Sequence, residues 1–274
     1  MAALHADLAG RPGVVVAFSG GADSAFLLAA AVRALGPERV VAATAVSASL
    51  AAGEKSAAAG FAASLGVLHL TPRTHELERD GYRANAGDRC YFCKAELLDV
   101  LSPVAEERGW VVATGTNADD AIAGFRPGIR AAVERGAVSP LRDAGLTKDQ
   151  IREQSRRWGL ATWDKPAAAC LSSRIAYGIE ISPSLLARVD RAERRVRDAA
   201  RDAGVTVTDL RVRDLGTGRA RLELDADALA GFGEVGDLLV DAVRAEGFEH
   251  CEVRVFRSGS MNELLDPTAR EQFR

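Results

Sequence analysis

Residues 14–28, VVVAFSGGADSAFLL, join a short run of β-branched residues to a run rich in alanine and leucine. The first run is typical of a buried parallel strand, and the second predicts a helix that extends to about Leu35. Glycines between the two runs allow the backbone to approach an anion, toward which the unpaired N–H groups of the helix start would point. Hydroxyl groups add donors, and a carboxylate could hold a metal ion that bridges phosphates. The predicted phosphate-binding residues are Ser19, Gly20, Gly21, Asp23 and Ser24.

Two better-known phosphate-binding motifs are absent from this segment. It contains no Gly-Lys-Ser/Thr of a Walker loop, and its glycines lack the GxGxxG spacing. The segment resembles instead the SGGxDS loop of the PP-loop ATP pyrophosphatases, which split ATP into AMP and pyrophosphate. An ordinary strand–turn–helix corner with a serine cap is the alternative interpretation.

Composition and charge are ordinary for a soluble globular protein. The 274 residues, 47% hydrophobic and 27% charged, suffice for two modest domains or one large one. A formal net charge of −3 gives no overall field that would attract nucleic acid or an anionic membrane, so we expect neither as a partner. No apolar run reaches transmembrane length, and residues 1–13 lack a signal-peptide core, so we expect a cytoplasmic protein.

Strand-like and helix-like runs alternate up to about residue 178. Further strands are predicted at residues 39–48, 67–72 and 110–114, and helices at 53–66, 90–108 and 147–159. Residues 80–89, 125–130, 138–141 and 163–178 are predicted to be loops or irregular. Such alternation predicts an α/β fold, in which a doubly wound, mostly parallel sheet binds its ligands at the carboxyl ends of the strands.

A polar turn, GTNADD, follows the predicted strand at residues 110–114. Because that strand would deliver the turn to the same sheet edge as the glycine loop, its residues are candidates for nucleotide or metal contacts. Capping of the next element by Asn and Asp is the alternative. The candidate nucleotide-binding residues of this turn are Gly115, Thr116, Asn117 and Asp120.

The pattern changes after residue 178. A helix is predicted at residues 183–203, a hairpin at 209–214 and 219–225, a helix at 226–247 and a strand at 252–257. We therefore predict two domains. Residues 1–178 would form the PP-loop domain, and residues 179–274 a smaller α+β domain for substrate binding or oligomerisation.

Several motifs in order resemble the LarE family over nearly the whole chain, except for the last few dozen residues. Beside the SGGADS loop and GTNADD, they are DRCYFCK (88–94), FRPG (125–128) and WDKPAAACLSSR (163–174). LarE proteins are ATP-dependent sulfur transferases that build the nickel-pincer nucleotide cofactor of lactate racemase. The resemblance implies that ATP–Mg²⁺ adenylylates a carboxylate of pyridinium-3,5-dicarboxylate mononucleotide and releases pyrophosphate. Sulfur then displaces AMP and remains as a thiocarboxylate.

The resemblance offers two sources for the sulfur. In one LarE type a single cysteine, here Cys170, attacks and surrenders its own sulfur. In the other, three cysteines hold a [4Fe–4S] cluster with a labile sulfide on its open iron, and Cys90, Cys93 and Cys170 match that type. From the residues alone, the CxxC could also be a redox pair or half of a zinc site, completed by Cys251 or a histidine. Packing is the default explanation for Cys251, which alternates with valines.

Polar residues of the same region are candidate substrate ligands. Ser173 and Arg174 stand beside Cys170, and Arg211 and Arg213 alternate with an apolar residue, so both would lie on one strand face. Two guanidinium groups could bind the substrate phosphate bidentately, as the Arg-x-Arg of LarE proteins implies. The alternative is a solvated face neutralised by Asp209 and Asp214. Glu193 is a further candidate for metal or substrate binding.

The resemblance also implies partners. These are a small-molecule nucleotide substrate, a sulfur donor or reloading system, the nickel-insertion protein of the same pathway, and further copies of the chain in a homo-oligomer. Two rival functions remain. A tRNA thiolase also joins a PP-loop to a CxxC and a third cysteine, but it needs a basic surface. A non-catalytic ATP- or metal-binding module would bind nucleotide without releasing pyrophosphate.

Overall fold

The structure is a computed structural model that describes residues 1–122, 126–166, 170–257 and 260–261. Phe125 of the FRPG motif and residues 167–169 of the WDKPAAACLSSR motif lie outside the described residues. The chain divides into two compact units. The first unit contains the described residues of Met1–Tyr82 and Asp88–Ala168. The second unit contains the described residues of Arg83–Gly87 and Ala169–Ala269.

A four-stranded parallel sheet organises the first unit. Its strands are β1 (Val14–Ala17), β2 (Val40–Ala43), β3 (Leu68–Leu70) and β4 (Val111–Thr114). They lie in the order β3-β2-β1-β4, and Val14 of the central strand is in register with both Val40 and Val111. The α/β class with a parallel sheet is therefore confirmed, and the two loops predicted to bind nucleotide follow neighbouring strands at one sheet edge.

Both faces of β1 are buried, which explains its uninterrupted apolar sequence. Val14 and Val16 pack into a core that includes Phe26 and other side chains of the following helix. Val15 points to the opposite core, where Leu98 lies. Because the strand is held from both sides, the loop that follows it starts from a fixed point.

Helices flank this sheet. Those before residue 166 are α1 (Ala2–Ala9), α2 (Ala22–Leu35), α3 (Glu54–Ser64), α4 (Asp80–Arg83), α5 (Arg89–Glu106), α6 (Ala118–Ile122), α7 (Pro127–Glu134), α8 (Pro140–Asp143) and α9 (Lys148–Arg157). At the start of α9, Thr147 accepts from the Gln150 backbone N–H and Gln150 caps in return, which confirms the predicted helix start. No described helix combines the length and apolar character needed to cross a membrane.

Three loop predictions in this unit were wrong in part. Residues 80–89 contain the short α4, residues 138–141 lead into α8, and residues 125–130 include the start of α7. Proline stands at the first helical position of α7 and α8, where its missing N–H costs nothing, so each of these prolines marks a helix start.

The second unit is a mixed α/β layer. Its elements are α10 (Pro183–Asp202), β5 (Leu210–Gly216), β6 (Arg219–Leu224), α11 (Ala226–Ala230), α12 (Phe232–Arg244) and β7 (His250–Val255). The predicted hairpin is confirmed: β5 and β6 are antiparallel, and Gly216, Thr217 and Gly218 of its turn all have positive φ. β7 pairs parallel to β6. The helix predicted at 226–247 is interrupted at Gly231.

The contacts divide the chain earlier than the predicted boundary at residue 178. Asn85, also at positive φ, donates from Nδ2 to the carbonyl oxygens of Ala176 (2.8 Å) and Ile179 (2.9 Å). The Ile181 N–H donates to the Arg83 carbonyl. These bonds place residues 83–87 in the second unit together with the segment that contains Cys170.

Candidate functional site

The Ser19–Ser24 loop leads from β1 directly into α2. Gly20 has a φ of +74°, a conformation that favours glycine, and Gly21 caps the helix with an extended backbone. The Ser19 and Ser24 hydroxyls are 3.1 Å apart, and Ser24 Oγ donates to the Gly21 carbonyl at 3.1 Å. The loop is thus closed by its own serines, with the start of α2 directed at the space an anion would occupy.

The GTNADD turn packs directly against this loop. A Cβ added at Gly115 would lie 2.9 Å from the Ser24 backbone nitrogen and 3.0 Å from its Cα. Asn117 is fully buried, and its Nδ2 donates to Asp23 Oδ2 at 3.2 Å. The structure therefore brings the two predicted nucleotide-binding segments into contact, as parallel neighbouring strands require.

Asn117 and Asp120 cap each other. The Asn117 N–H donates to Asp120 Oδ2 at 3.3 Å, and the Asp120 N–H donates to Asn117 Oδ1 at 3.0 Å. The capping alternative is thus confirmed, and nucleotide binding by this turn stays a prediction. The other oxygen of Asp120 faces two cations. Lys148 Nζ lies 3.4 Å and Arg126 Nη2 3.3 Å from Asp120 Oδ1.

Asp23 and Asp120 form an acidic pair at the nucleotide loop. Burial and, after it, the charge of Asp120 raise the pKa of Asp23, while Lys148 and the Asn117 hydrogen bond act in the opposite direction. Two neighbouring carboxylates, one of which raises the pKa of the other, are a suitable oxygen donor set for Mg²⁺.

Two further residues at the loop were not singled out from the sequence. Lys165 Nζ donates to the Gly20 carbonyl at 3.1 Å and to Glu54 Oε2 at 2.7 Å. Lys165 does belong to the WDKPAAACLSSR motif. Glu54 carried no signal, because in the sequence it is only an acidic residue in the first turn of the helix predicted at 53–66.

The CxxC lies on the first turn of α5. Cys90 is exposed and Cys93 half-buried, and their spacing of three residues places both thiols on one helix face. The next residue, Lys94, interacts electrostatically with both cysteines. Burial lowers the pKa of Lys94, and the charges of Cys93, Cys90 and Asp120 act to raise it. The first turn of α5 is therefore an electrostatic neighbour of the GTNADD turn.

α7 holds this turn of α5 in place. A Cβ added at Gly128 would lie 3.3 Å from the Cys90 carbonyl oxygen, so only a residue without a side chain packs there without a shift. The Arg130 guanidinium stacks over the Tyr91 ring, 4.7 Å from its centroid. Gly128 is the last residue of the FRPG motif, so part of that motif serves to position the first turn of α5.

In the second unit, Cys170 begins a single 3-10 turn, Leu171–Arg174. Its carbonyl oxygen accepts from Ser173 Oγ (2.8 Å) and from Arg174 Nη1 (3.3 Å). Arg174 is itself fixed by Glu193 on α10: Nε to Oε1 is 2.8 Å and Nη2 to Oε2 is 3.3 Å. Ser173, Arg174 and Glu193, all predicted site residues, thus form a connected group with Cys170.

Arg211 and Arg213 join the same group. Arg213 Nη1 donates to the Ser173 carbonyl at 3.0 Å, and its Nε and Nη2 donate to Glu223 at 3.0 and 2.7 Å. The solvated face of the alternative is wrong, because Arg211 and Arg213 are only 6% and 5% exposed, but the charge of Asp209 does act on Arg211 as that alternative expected. Burial and then the charge of Arg174 lower the pKa of Arg211 to about 10.

Two buried carboxylates offset these cations. Glu193 accepts from the Val212 N–H at 3.1 Å as well as from Arg174, and Glu223 accepts from Ser260 Oγ at 2.9 Å besides Arg213. Glu223 was missed in the sequence because it stands in an ordinary alternating strand. Three buried guanidinium groups, those of Arg174, Arg211 and Arg213, therefore lie near these two carboxylates, and the charge of Asp209 also acts on Arg211.

The predicted residues fall into two groups, one in each unit. The SGGADS loop, the GTNADD turn and the CxxC belong to the first unit, whereas Cys170 and the arginine cluster belong to the second. Among the described residues, no group of three or more His, Cys, Asp or Glu side chains is arranged to hold a metal ion. The third ligand of the predicted cluster, Cys170, stays a prediction.

Comparison with known proteins found similar chains of nearly equal length. The chain is 39% identical over 256 residues to protein slr1717 of Synechocystis, a protein described as uncharacterized, and the match covers 92% of each. It is 30% identical over 254 residues to the pyridinium-3,5-bisthiocarboxylic acid mononucleotide synthase of Lactiplantibacillus plantarum, covering 92% of this chain and 90% of that one. Protein MJ0830 of Methanocaldococcus jannaschii, also described as uncharacterized, is 32% identical over 131 residues, about half of each chain. No protein-family model matches the chain.

Proposed function

The chain belongs to the LarE family, whose relative in Lactiplantibacillus plantarum is a pyridinium-3,5-bisthiocarboxylic acid mononucleotide synthase, and we propose that it is an ATP-dependent sulfur transferase of the same kind. Its substrate would be pyridinium-3,5-dicarboxylate mononucleotide, and its product a thiocarboxylate used in nickel-pincer nucleotide synthesis.

The first step would use the nucleotide loop. A substrate carboxylate oxygen attacks the α-phosphorus of ATP, the α–β phosphoanhydride bond breaks, and pyrophosphate leaves. The backbone N–H groups at the start of α2 and the serines Ser19 and Ser24 would bind the phosphates. Asp23 and Asp120 would hold Mg²⁺, which would supply positive charge to the phosphates and offset the repulsion between the two carboxylates.

The second step would replace the activated oxygen with sulfur. A sulfur nucleophile attacks the acyl carbon, and the carbon–oxygen bond to AMP breaks. If Cys170 is the nucleophile, the acyl–cysteine then loses the proton on its Cα and its Cβ–sulfur bond. The sulfur stays on the substrate as a thiocarboxylate, and residue 170 becomes dehydroalanine.

The arginine cluster at the Cys170 turn is the observation that carries this proposal. A mononucleotide substrate has a phosphate that must be fixed so that its carboxylate meets the sulfur. Arg174 and Arg213 bind the two ends of the turn, through the Cys170 and Ser173 carbonyls, and Arg211 belongs to the same group. A phosphate bound there would accept charge-assisted hydrogen bonds from guanidinium groups that lie beside the reacting cysteine.

An iron–sulfur cluster is the alternative source of sulfur. Cys90 and Cys93 on one helix face fit two corners of such a cluster, and a helix start favours the thiolate form. Burial lowers the pKa of the neighbouring Lys94, and negative charge on the cysteine thiolates acts to raise it, so thiolates at this position favour the charged form of Lys94. Bound there, the cluster would supply an exchangeable sulfide at an open iron.

The activity is tested with ATP, Mg²⁺ and the dicarboxylate mononucleotide. We expect pyrophosphate release that depends on the mononucleotide, together with a thiocarboxylate product detected by mass spectrometry. Pyrophosphate release that is independent of the mononucleotide, or none at all, would contradict the proposal and favour a nucleotide-binding module.

The sulfur source is decided by purification without oxygen. Iron bound to the wild-type protein and absent from a Cys90→Ser, Cys93→Ser variant, with residue 170 unchanged in mass after turnover, would identify the cluster. Iron-free protein in which residue 170 loses its sulfur would identify Cys170. A Cys251→Ser variant is the matched control, because Cys251 is a half-buried cysteine on β7 to which we assign no role.

A further inference from the structure

An ion pair lies over the nucleotide loop. Lys165 Nζ bridges the Gly20 carbonyl (3.1 Å) and Glu54 Oε2 (2.7 Å), and both side chains are largely buried, with 23% and 25% of their surface exposed. A Cβ added at Gly20 would lie 3.5 Å from Glu54 Oε2 and 3.7 Å from Lys165 Nζ. The ammonium and the carboxylate therefore both stand against the glycine that opens the loop.

The carboxylate is the unexpected member of this pair. The start of α2 is built to receive an anion, and a glutamate beside it repels a polyanionic ligand. An ammonium group at the same place attracts one. The pair thus has one charge that matches the proposed ligand and one that opposes it.

The two side chains differ in how easily they can change partners. The described residues take two of the three N–H groups of Lys165, and its four-carbon side chain allows the ammonium to move. Glu54 is the first residue of α3, following Gly53 at a φ of +88°, and the N–H groups of a helix start stabilise a carboxylate. Glu54 would therefore remain stabilised without Lys165.

We propose that Lys165 binds a phosphate of the nucleotide and that Glu54 is its counter-ion in the nucleotide-free protein, displaced when the nucleotide binds. The inference rests on the proposed function, because it takes ATP as the ligand of this loop. Lys165 is then a phosphate-binding residue. Glu54 is a positioning residue that holds the ammonium at the loop and competes with the nucleotide for it.

The two residues should have opposite effects on nucleotide affinity. Dissociation constants are measured by calorimetry with Mg²⁺ for α,β-methylene-ATP, which cannot be cleaved at the α–β bond, and for AMP and adenosine. Lys165→Met should weaken binding of the ATP analogue by about 10- to 100-fold, the value of a charge-assisted hydrogen bond. Glu54→Gln should tighten it by about 3- to 10-fold, because a like charge is removed. Both effects should shrink for AMP and vanish for adenosine.

The matched control is Lys55→Met, which removes the charge of the exposed lysine next to Glu54. It should leave all three affinities within about twofold, as expected for an exposed charge. If Glu54→Gln weakens the ATP analogue, or shifts adenosine as much as the analogue, the pair is a structural tie and the inference is wrong. If the wild-type protein does not bind the ATP analogue at all, both the proposed function and this inference are wrong.

Discussion

Gly115→Ala tests whether the GTNADD turn sets the geometry of the nucleotide loop. The new Cβ would lie 2.9 Å from the Ser24 nitrogen, 3.0 Å from its Cα and 3.2 Å from the Asp23 carbonyl carbon. All three are backbone atoms and cannot rotate away. To reach an ordinary contact of about 3.5 Å, the turn and the start of α2 must separate by about half an ångström.

That displacement has two consequences of different size. Overpacking of this kind costs about 1–3 kcal/mol of unfolding free energy, which lowers the midpoint of thermal unfolding by about 2–4 °C per kcal/mol. Half an ångström is also about the tolerance within which a binding site must be held. We therefore expect affinity for α,β-methylene-ATP to fall at least about tenfold, because Asp23 and Ser24 move away from the residues that face them.

Calorimetric binding and urea unfolding measure the two effects separately. Gly60→Ala is the matched control: Gly60 lies inside α3, and no described atom comes within 4 Å of an added Cβ. That substitution should raise the unfolding free energy by about 0.5–1 kcal/mol and leave nucleotide affinity unchanged. Wild-type affinity in Gly115→Ala would refute the reasoning, since it would show that the close contact does not position the loop.

Three further changes test the remaining parts of the site. Because burial and a neighbouring carboxylate raise the pKa of Asp23 above its unfolded value, its ionised form destabilises the folded protein, and stability should fall as pH rises through that raised pKa. The Asp23→Asn protein should therefore unfold at a higher urea concentration than wild type at pH 7, and this difference should disappear below pH 3.8. Mg²⁺ should stabilise the wild type but not the variant. If the two proteins show the same dependence of stability on pH, the reasoning is contradicted. Glu193→Gln leaves the buried guanidinium of Arg174 without its carboxylate and should lower the unfolding free energy by about 3–5 kcal/mol. The exposed Glu153→Gln should lower it by only about 0–1 kcal/mol. Equal losses in urea unfolding would argue against a buried ion pair. Cys170→Ala should reduce thiocarboxylate formation to background while mononucleotide-dependent pyrophosphate release continues, whereas Cys251→Ala should retain both; an active Cys170→Ala would remove that residue from the mechanism.

Local signals predicted the strand, turn and helix of residues 14–28 well. A continuous apolar run, two glycines and a periodic helix specify a buried strand, a tight turn and a helix within fifteen residues, and each signal depends only on neighbours in the chain. The helix start at Thr147 was equally predictable, because both members of its capping box lie within four residues.

α7 was missed for the opposite reason. Pro127 and Gly128 lower helix propensity in the sequence, but Pro127 stands at the first helical position, where it is tolerated. Gly128 is needed because α7 lies against the Cys90 carbonyl, a contact between segments almost forty residues apart. Packing against α5 thus requires a glycine at a position where helix propensity disfavours glycine.

Burial of the arginines was also beyond the sequence. Leu210, Val212 and the arginines alternate along β5, which predicts one apolar and one solvated face. In the structure both faces are covered, and the Glu193 and Glu223 carboxylates that make burial of Arg174 and Arg213 tolerable come from α10 and β6. The residues of β5 alone cannot predict that a carboxylate from another helix or strand will pair with them.

The arginine cluster is better explained by binding than by stability. A buried ion pair contributes little net stability, because the cost of removing both charges from water offsets most of their attraction. Burial and then the charge of Arg174 lower the pKa of Arg211 to about 10, so Arg211 remains protonated at neutral pH. A phosphate group bound to this cluster would meet charged donors beside the turn that Cys170 caps. We therefore expect the cluster to matter more for affinity toward the proposed mononucleotide than for the unfolding free energy.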